Sequence, residues 1–184
     1  CVLGRSVLAL CAPAGLAQAP SEAAAEDDEA TARARALFEQ GLELADAGDW
    51  ERAVLRFRQA LELREAAPVR FNLASSLAHM GRLVEALEEI DRVLDDPEAG
   101  AEARDAAEAL RGELLPRLGQ LTVHVEGDAE GTVVTVDGRP WEAVGVAAVA
   151  DPGVRVVRLL RDVQELDVQE ADVPAGGAAR VVLE

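Results

Sequence analysis

Few side chains in this sequence could carry covalent or proton-transfer chemistry. The serines are Ser6, Ser21, Ser75 and Ser76, the histidines are His79 and His124, and the cysteines are Cys1 and Cys11. An activated nucleophile needs a base within hydrogen-bond reach and a third group to orient that base. Neither histidine has a nucleophile and an acid at a local spacing that would build such a set. His79 reads as an exposed helical histidine, and His124 falls on the outward side of a strand. The acid pairs Glu88/Glu89 and Asp95/Asp96 are adjacent in sequence, so on a helix they diverge and cannot share a proton or flank a bond. They read as a solvated face. The loop Glu126–Glu130 and the run Asp162–Asp172 are rich in carboxylates, but neither alternates as a calcium loop does. Gly127 and Gly131 make no phosphate cradle, because no helix start and no lysine follow them. Arg52 and Arg56 share a helical face, yet Glu51, Glu62 and Glu65 lie near enough to pair with them, which leaves no anion site. The chain is therefore expected to be non-enzymatic, with no cofactor and no metal. Recognition by a surface is the chemistry that remains.

The elements that must present such a surface are bounded by composition. A length of 184 residues suits one ordinary domain or two small ones. With 49% hydrophobic but only 3% aromatic residues, the core must be built from Ala, Val and Leu. Every basic residue is arginine, and the net charge is −17. Both halves share the sign: residues 31–118 hold 12 arginines against 18 acids, and residues 119–184 hold 5 against 12. No basic stripe is present to neutralise phosphates, so nucleic acid is excluded as a partner, and anionic lipid headgroups are repelled. The charge is expected to serve solubility.

The chain opens on Cys1, which suggests a missing or processed start. From Arg5 to Ala19 (RSVLALCAPAGLAQA) a basic residue, a short apolar run and small residues follow one another. That pattern predicts a secretory signal peptide over residues 1–17, truncated at its basic end. Cleavage after Ala17 is favoured, because cleavage after Ala19 would place Pro20 across the scissile bond. The run is too short to span a bilayer. Leu10 stands before Cys11 where a lipoprotein needs a small residue, and an apolar run follows Cys1 where a tether belongs. Both cysteines would leave with the signal, so the mature chain would lack a thiol. Residues 18–30 (QAPSEAAAEDDEA) read as a solvated acidic linker leading to a helix start near Thr31.

From Arg35 to Asp96 the sequence repeats itself at an offset of 33 residues. Gly41 falls on Ala74, Leu44 on Leu77, Gly48 on Gly81, Trp50 on Leu83 and Ala53 on Ala86. Phe57 then falls on Ile90, Ala60 on Val93 and Leu61 on Leu94. Ala107 and Leu110 begin a third, partial copy. A period of this length predicts stacked helical hairpins. The expected helices are Thr31–Ala47, Trp50–Glu65, Val69–Met80, Leu83–Asp95 and a terminal helix Ala99–Leu115 that covers the end of the stack. Trp50, Phe57 and Ile90 are expected in the core. The small and large residues resemble the tetratricopeptide repeat: Gly41, Leu44, Ala53, Phe57 and Ala60, then Ala74, Leu77, Ala86, Ile90 and Val93. The period is one residue shorter than that family's usual one, and Pro68 and Pro97 stand in for its closing proline.

After Pro116 and Gly119 the period changes to two. Leu121, Val123 and Val125 alternate with Thr122, His124 and Glu126, a half-buried strand. Further strands are expected at Thr132–Val136, Val154–Leu160, Gln164–Val168 and Ala178–Leu183, with turns at Asp137-Gly138, Asp151-Pro152-Gly153 and Gly176-Gly177. The fold class is α+β in two domains: a helical repeat domain over 31–118 and a small antiparallel sheet or sandwich over 119–184. The strand Gln120–Val125, the gap EGDAEG, the segment TVVTVDG, the turn Pro152-Gly153 and the ending VPAGGAARVVLE resemble a PEGA-type or carboxypeptidase-regulatory-like envelope domain. That family's signature tetrapeptide is absent, and WEAVGV replaces its usual Gly-x-Thr-Pro.

The repeat resemblance implies a concave groove lined by the first helix of each unit. Carried over by position, the groove residues are Arg35, Phe38, Leu42 and Ala45, then Phe71, Ser75, Ala78 and His79. Asn72 stands where the family often places an asparagine that bonds a ligand backbone. Phe38 and Leu42 occupy two places of the family's carboxylate clamp, so an apolar or helical segment is expected to fit better than a free carboxylate. The chain is thus read as an exported protein–protein interaction scaffold of the bacterial periplasm or cell envelope. Its β half would anchor it or add a second contact surface. Two other partners fit the residues: cell-wall polysaccharide gripped by the β half, with Trp141 stacking on a sugar, and a second copy of the repeat stack.

Overall fold

The computed structural model describes residues 22–127 and 129–184. The expected signal peptide, both cysteines, Ser6, Ser21 and the first residues of the expected linker lie outside the described residues. Five helices come first: α1 (Glu22–Asp46), α2 (Trp50–Leu63), α3 (Ala67–His79), α4 (Leu83–Asp95) and α5 (Ala101–Leu114), closed by a short 3₁₀ turn over Leu115–Arg117. One boundary needs correction. α1 begins at Glu22 and not near Thr31, so most of the acidic stretch is helix. Alanines favour that conformation, and acidic residues early in a helix interact favourably with the positive end of its dipole. Asp27 also reaches across to Arg64 at the C-terminal cap of α2, at 2.7 Å.

The hairpins close for local reasons. Gly48 and Gly81 take positive φ at the two matching turns, a conformation glycine adopts without penalty. Asp49 caps α2 through the N–H of Arg52 at 3.3 Å. Pro68 sits in the first turn of α3, where its missing N–H is not needed. Between helices the small and large positions of the repeat meet. A Cβ added at Gly41 would lie 2.4 Å from Cε1 of Phe57, so only glycine admits that ring. One repeat later Ala74 and Ile90 are both fully buried, as are Ala86, Leu77 and Val93. Trp50 departs from expectation. It is only half-buried, because it opens α2 beside the turn and its ring stacks on His79 of α3, centroids 4.0 Å apart. Its repeat counterpart Leu83 is fully buried.

The strands are β1 (Gly119–Val125), β2 (Thr132–Val136), β3 (Arg139–Pro140), β4 (Ala147–Ala150), β5 (Gly153–Arg161), β6 (Gln164–Val173) and β7 (Ala178–Leu183). They form two sheets, ordered β4-β1-β7 and β3-β2-β5-β6. The expectation of an all-antiparallel half is corrected at one pair: β1 and β7 run parallel, from Gln120 beside Ala178 to Val125 beside Leu183. A parallel pair needs a long crossover, and here the whole second sheet lies between the two strands. β6 extends beyond Val168 to Val173 because it is an edge strand, whose acids can face solvent. β3 and β4 are too short to show a period. The inward faces bury Leu121, Val123, Val157, Leu159, Val173 and Leu183 as a core separate from the helical one. Gly119 marks the join. A Cβ there would fall 2.2 Å from Val173 Cγ1 and 2.8 Å from the Pro174 carbonyl oxygen.

The described chain is therefore α+β in two parts, a helical hairpin stack followed by two small sheets. Phe57 is the largest fully buried side chain of the first part. Phe57→Ala should cost about 3–5 kcal/mol, the range for removing a buried phenylalanine. Urea unfolding measures it, and an unmoved midpoint would refute this packing.

Candidate functional site

An open groove of about 650 Å³ lies between α3 and α5. Its floor is made of small and apolar groups: Ala67 and Phe71 on α3, Ala99 just before α5, and Ala103 and Ala106 on α5. Glu65, Asp96, Glu98 and Glu102 stand around it. Helical spacing explains the floor, since positions three or four apart share a face. Ala74 of α3 and Ala107 of α5 are fully buried, and the small alanines of the floor leave room between the helices at the open side.

Of the groove residues expected from sequence, Phe71 and Asn72 line this space. The Asn72 side-chain amide donates to the Pro68 carbonyl at 2.8 Å, within its own helix. Ser75 is half-buried, Ala78 is buried, and exposed His79 lies under the Trp50 ring. On α1, Arg35 is exposed, while Leu42 and Ala45 pack against the helical core. Phe38 tilts onto Phe57 with ring centroids 5.9 Å apart, so part of its surface is committed to packing. The structure thus joins Phe71 and Asn72 to α5, not to the α1 set. Sequence reasoning treated α5 as a cover and so missed its contribution. The alanines at 99, 103 and 106, at helical spacing, were the available signal. Among the residues weighed for catalysis, Ser76 is buried and its hydroxyl donates to the Asn72 carbonyl at 2.9 Å. Glu89, expected on a solvated face, is instead half-buried between Arg70 and Arg92, at 2.7 and 2.6 Å. A helix lying against its neighbour covers one member of an adjacent acid pair and exposes the other.

The two parts meet at the start of α4. Glu85 is buried there, and arginines from three places hold it. Arg58 of α2 donates to Oε2 at 2.8 Å, Arg82 of the preceding turn donates to both oxygens at 2.6 Å, and Arg139 of β3 closes the set. Burial pushes the Glu85 carboxyl up, but hydrogen bonds and charge from Arg82 and Arg139 outweigh it and hold it below the usual glutamate range. α4 has no side-chain cap from its own N-cap residue. Asp151, from the loop after β4, supplies one: its Oδ1 accepts from the N–H of Val84 at 2.8 Å. Burial raises the Asp151 carboxyl above the usual aspartate range, with the N–H groups of Val84 and Leu83 and the charge of Arg155 pulling back. Beside this contact is a cleft of about 490 Å³ lined partly by Trp141. The Trp141 ring packs against the β core and its N–H donates to the Ala143 carbonyl at 3.2 Å.

Among the described residues no helix is long and apolar enough to cross a membrane, and no group of three or more His, Cys, Asp or Glu side chains stands together as metal ligands. No family model matches the chain, and no curated protein is significantly similar to it.

Two outcomes follow from the junction. Glu85→Gln should destabilise the protein by about 2–3 kcal/mol at neutral pH, the scale of hydrogen bonds to a charged group. A carboxyl with a lowered folded pKa contributes stability above its ordinary pKa and loses it as pH falls through the lowered value. The gap between wild type and Glu85→Gln should therefore close on acidification below the usual glutamate range, as followed by urea titrations across that range. Asp151 has the opposite sign: its raised pKa means that ionisation costs stability as pH rises through the raised value. Asp151→Asn keeps an oxygen acceptor without the buried charge, so at neutral pH it should be no less stable than wild type. Asp151→Ala should lose about 1 kcal/mol, the typical worth of an N-cap. Melting curves of the two variants decide this.

Proposed function

We propose that this protein is a non-enzymatic, exported interaction scaffold of the tetratricopeptide type. Its α3–α5 groove holds a segment of a partner protein, and its PEGA-like β half serves as envelope anchor or second contact surface. The observation that carries this reading is the groove itself: an apolar floor open to solvent, between two helices that the 33-residue register makes equivalent. An extended or helical segment can bury apolar side chains on such a floor, and the surrounding polar groups set its direction. The signal-like start supports export, and the strand and turn pattern of residues 119–184 supports the envelope role.

A photo-crosslinking residue at position 103 of the full chain tests the proposal in a bacterial host. A discrete protein adduct is expected from position 103 and none from position 55, since Leu55 is exposed on α2 away from the groove. Adducts from exposed Val133 on β2 but not from position 103 would overturn the groove as the binding surface.

A further inference from the structure

We infer that the segment held in the α3–α5 groove is cationic: small aliphatic residues flanked by lysine or arginine. This rests on the reading of the groove as a partner site and goes beyond it by assigning the partner's chemistry. The lining residues include four carboxylates, on Glu65, Asp96, Glu98 and Glu102, and not one arginine or histidine. The nearest guanidinium groups are turned elsewhere. Arg104 donates to the carbonyls of Leu94 and Ala99, each at 3.0 Å, and to that of Asp96. Arg70 pairs with Glu89 at 2.7 Å and with Glu65, so it offsets only one acid of the rim. Among the described residues, neither Glu98 nor Glu102 has a side-chain partner.

The N-terminal turns of α3 and α5 also line this space, and their field has the opposite sign. Each is equivalent to roughly half a positive charge, so together they cancel about one carboxylate. With Glu65 partly neutralised by Arg70, about two negative charges remain over an apolar floor. An acidic segment or a free carboxylate would be desolvated against like charge, which costs binding. A second copy of this chain brings a further −17 and no lysine. A cationic segment instead places its charges beside Glu98 and Glu102 while its apolar residues cover Ala99, Ala103 and Phe71. The floor is built of alanines with one ring, which favours Ala, Val or Leu over a large aromatic anchor. The overall charge of the chain adds steering, so association should slow as salt rises.

The test uses the full chain and three fluorescein-labelled peptides that share a Leu-Ala-Val core. The core is flanked by lysines, glutamines or glutamates, and binding is read by anisotropy. The lysine peptide should bind roughly tenfold more tightly than the glutamine peptide, as expected for two partly screened charge pairs. Glu98→Gln with Glu102→Gln should remove that advantage. Glu108→Gln with Glu113→Gln, exposed on α5 but outside the groove, should leave it intact. Ala103→Trp, which fills the floor, should abolish binding of every peptide, and circular dichroism melts confirm that each variant folds. Equal affinity for lysine and glutamine peptides, or equal losses from the two glutamate pairs, would overturn the inference. If the glutamine peptide binds as tightly and Ala103→Trp still abolishes it, the cationic partner is wrong and the groove reading stands. If Ala103→Trp changes nothing, both fall.

Discussion

Much of this structure depends on one buried carboxylate. Glu85 lies near the start of α4, where α2, the α3–α4 turn and β3 converge, and each sends an arginine to it. Burying a charge costs several kcal/mol, and the cost is offset only when its oxygens are fully engaged. Three guanidinium groups achieve that here. Because they come from two hairpins and a sheet, their engagement ties the two parts of the chain together. Asp151 completes the contact by capping a helix that carries no side-chain cap of its own.

The other end of α4 is held as deliberately. Arg104 of α5 reaches back to the carbonyls of Leu94 and Asp96, which the helix leaves without partners inside itself. α4 is thus fixed at its start by the β half and at its end by α5. That second contact ties α5 to the end of α4, and the groove lies between α5 and α3. The small residues do the rest. Ala74 of α3 and Ala107 of α5 are fully buried in the helical core, and Ala103 and Ala106 line the open side.

Charge is distributed with the same economy. At the α4 start, acids and arginines are matched and bury one another. At the groove, Arg104 is drawn off to backbone carbonyls and Arg70 is shared between Glu89 and Glu65, which leaves Glu98 and Glu102 to face solvent. The helical core uses very few aromatic rings, and Phe57 occupies the one site where a glycine gives it room. The rigid packing is thus kept inward, and an acidic, shallow surface is left exposed.

The sequence by itself determined whatever depends on neighbours a few residues apart. The 33-residue register matched Gly41 with Ala74 and Phe57 with Ile90, and Phe57, Ala74 and Ile90 are fully buried. The bounds of α4, the alternation of β1 and the turn at Asp137-Gly138 were legible for the same reason, because each is set by local spacing and local φ. The early start of α1 was harder to see, since part of what holds it, Asp27 against Arg64, lies 37 residues away. The parallel pairing of β1 with β7, the role of α5 in the groove and the half-buried place of Trp50 were decided by tertiary structure. So were the partners of Glu85 and Asp151, which lie 27 residues away at Arg58 and 67 at Val84. A periodic pattern says which face of a helix or strand is buried. It does not say which distant charge or edge that face will meet, because that depends on how the finished elements pack.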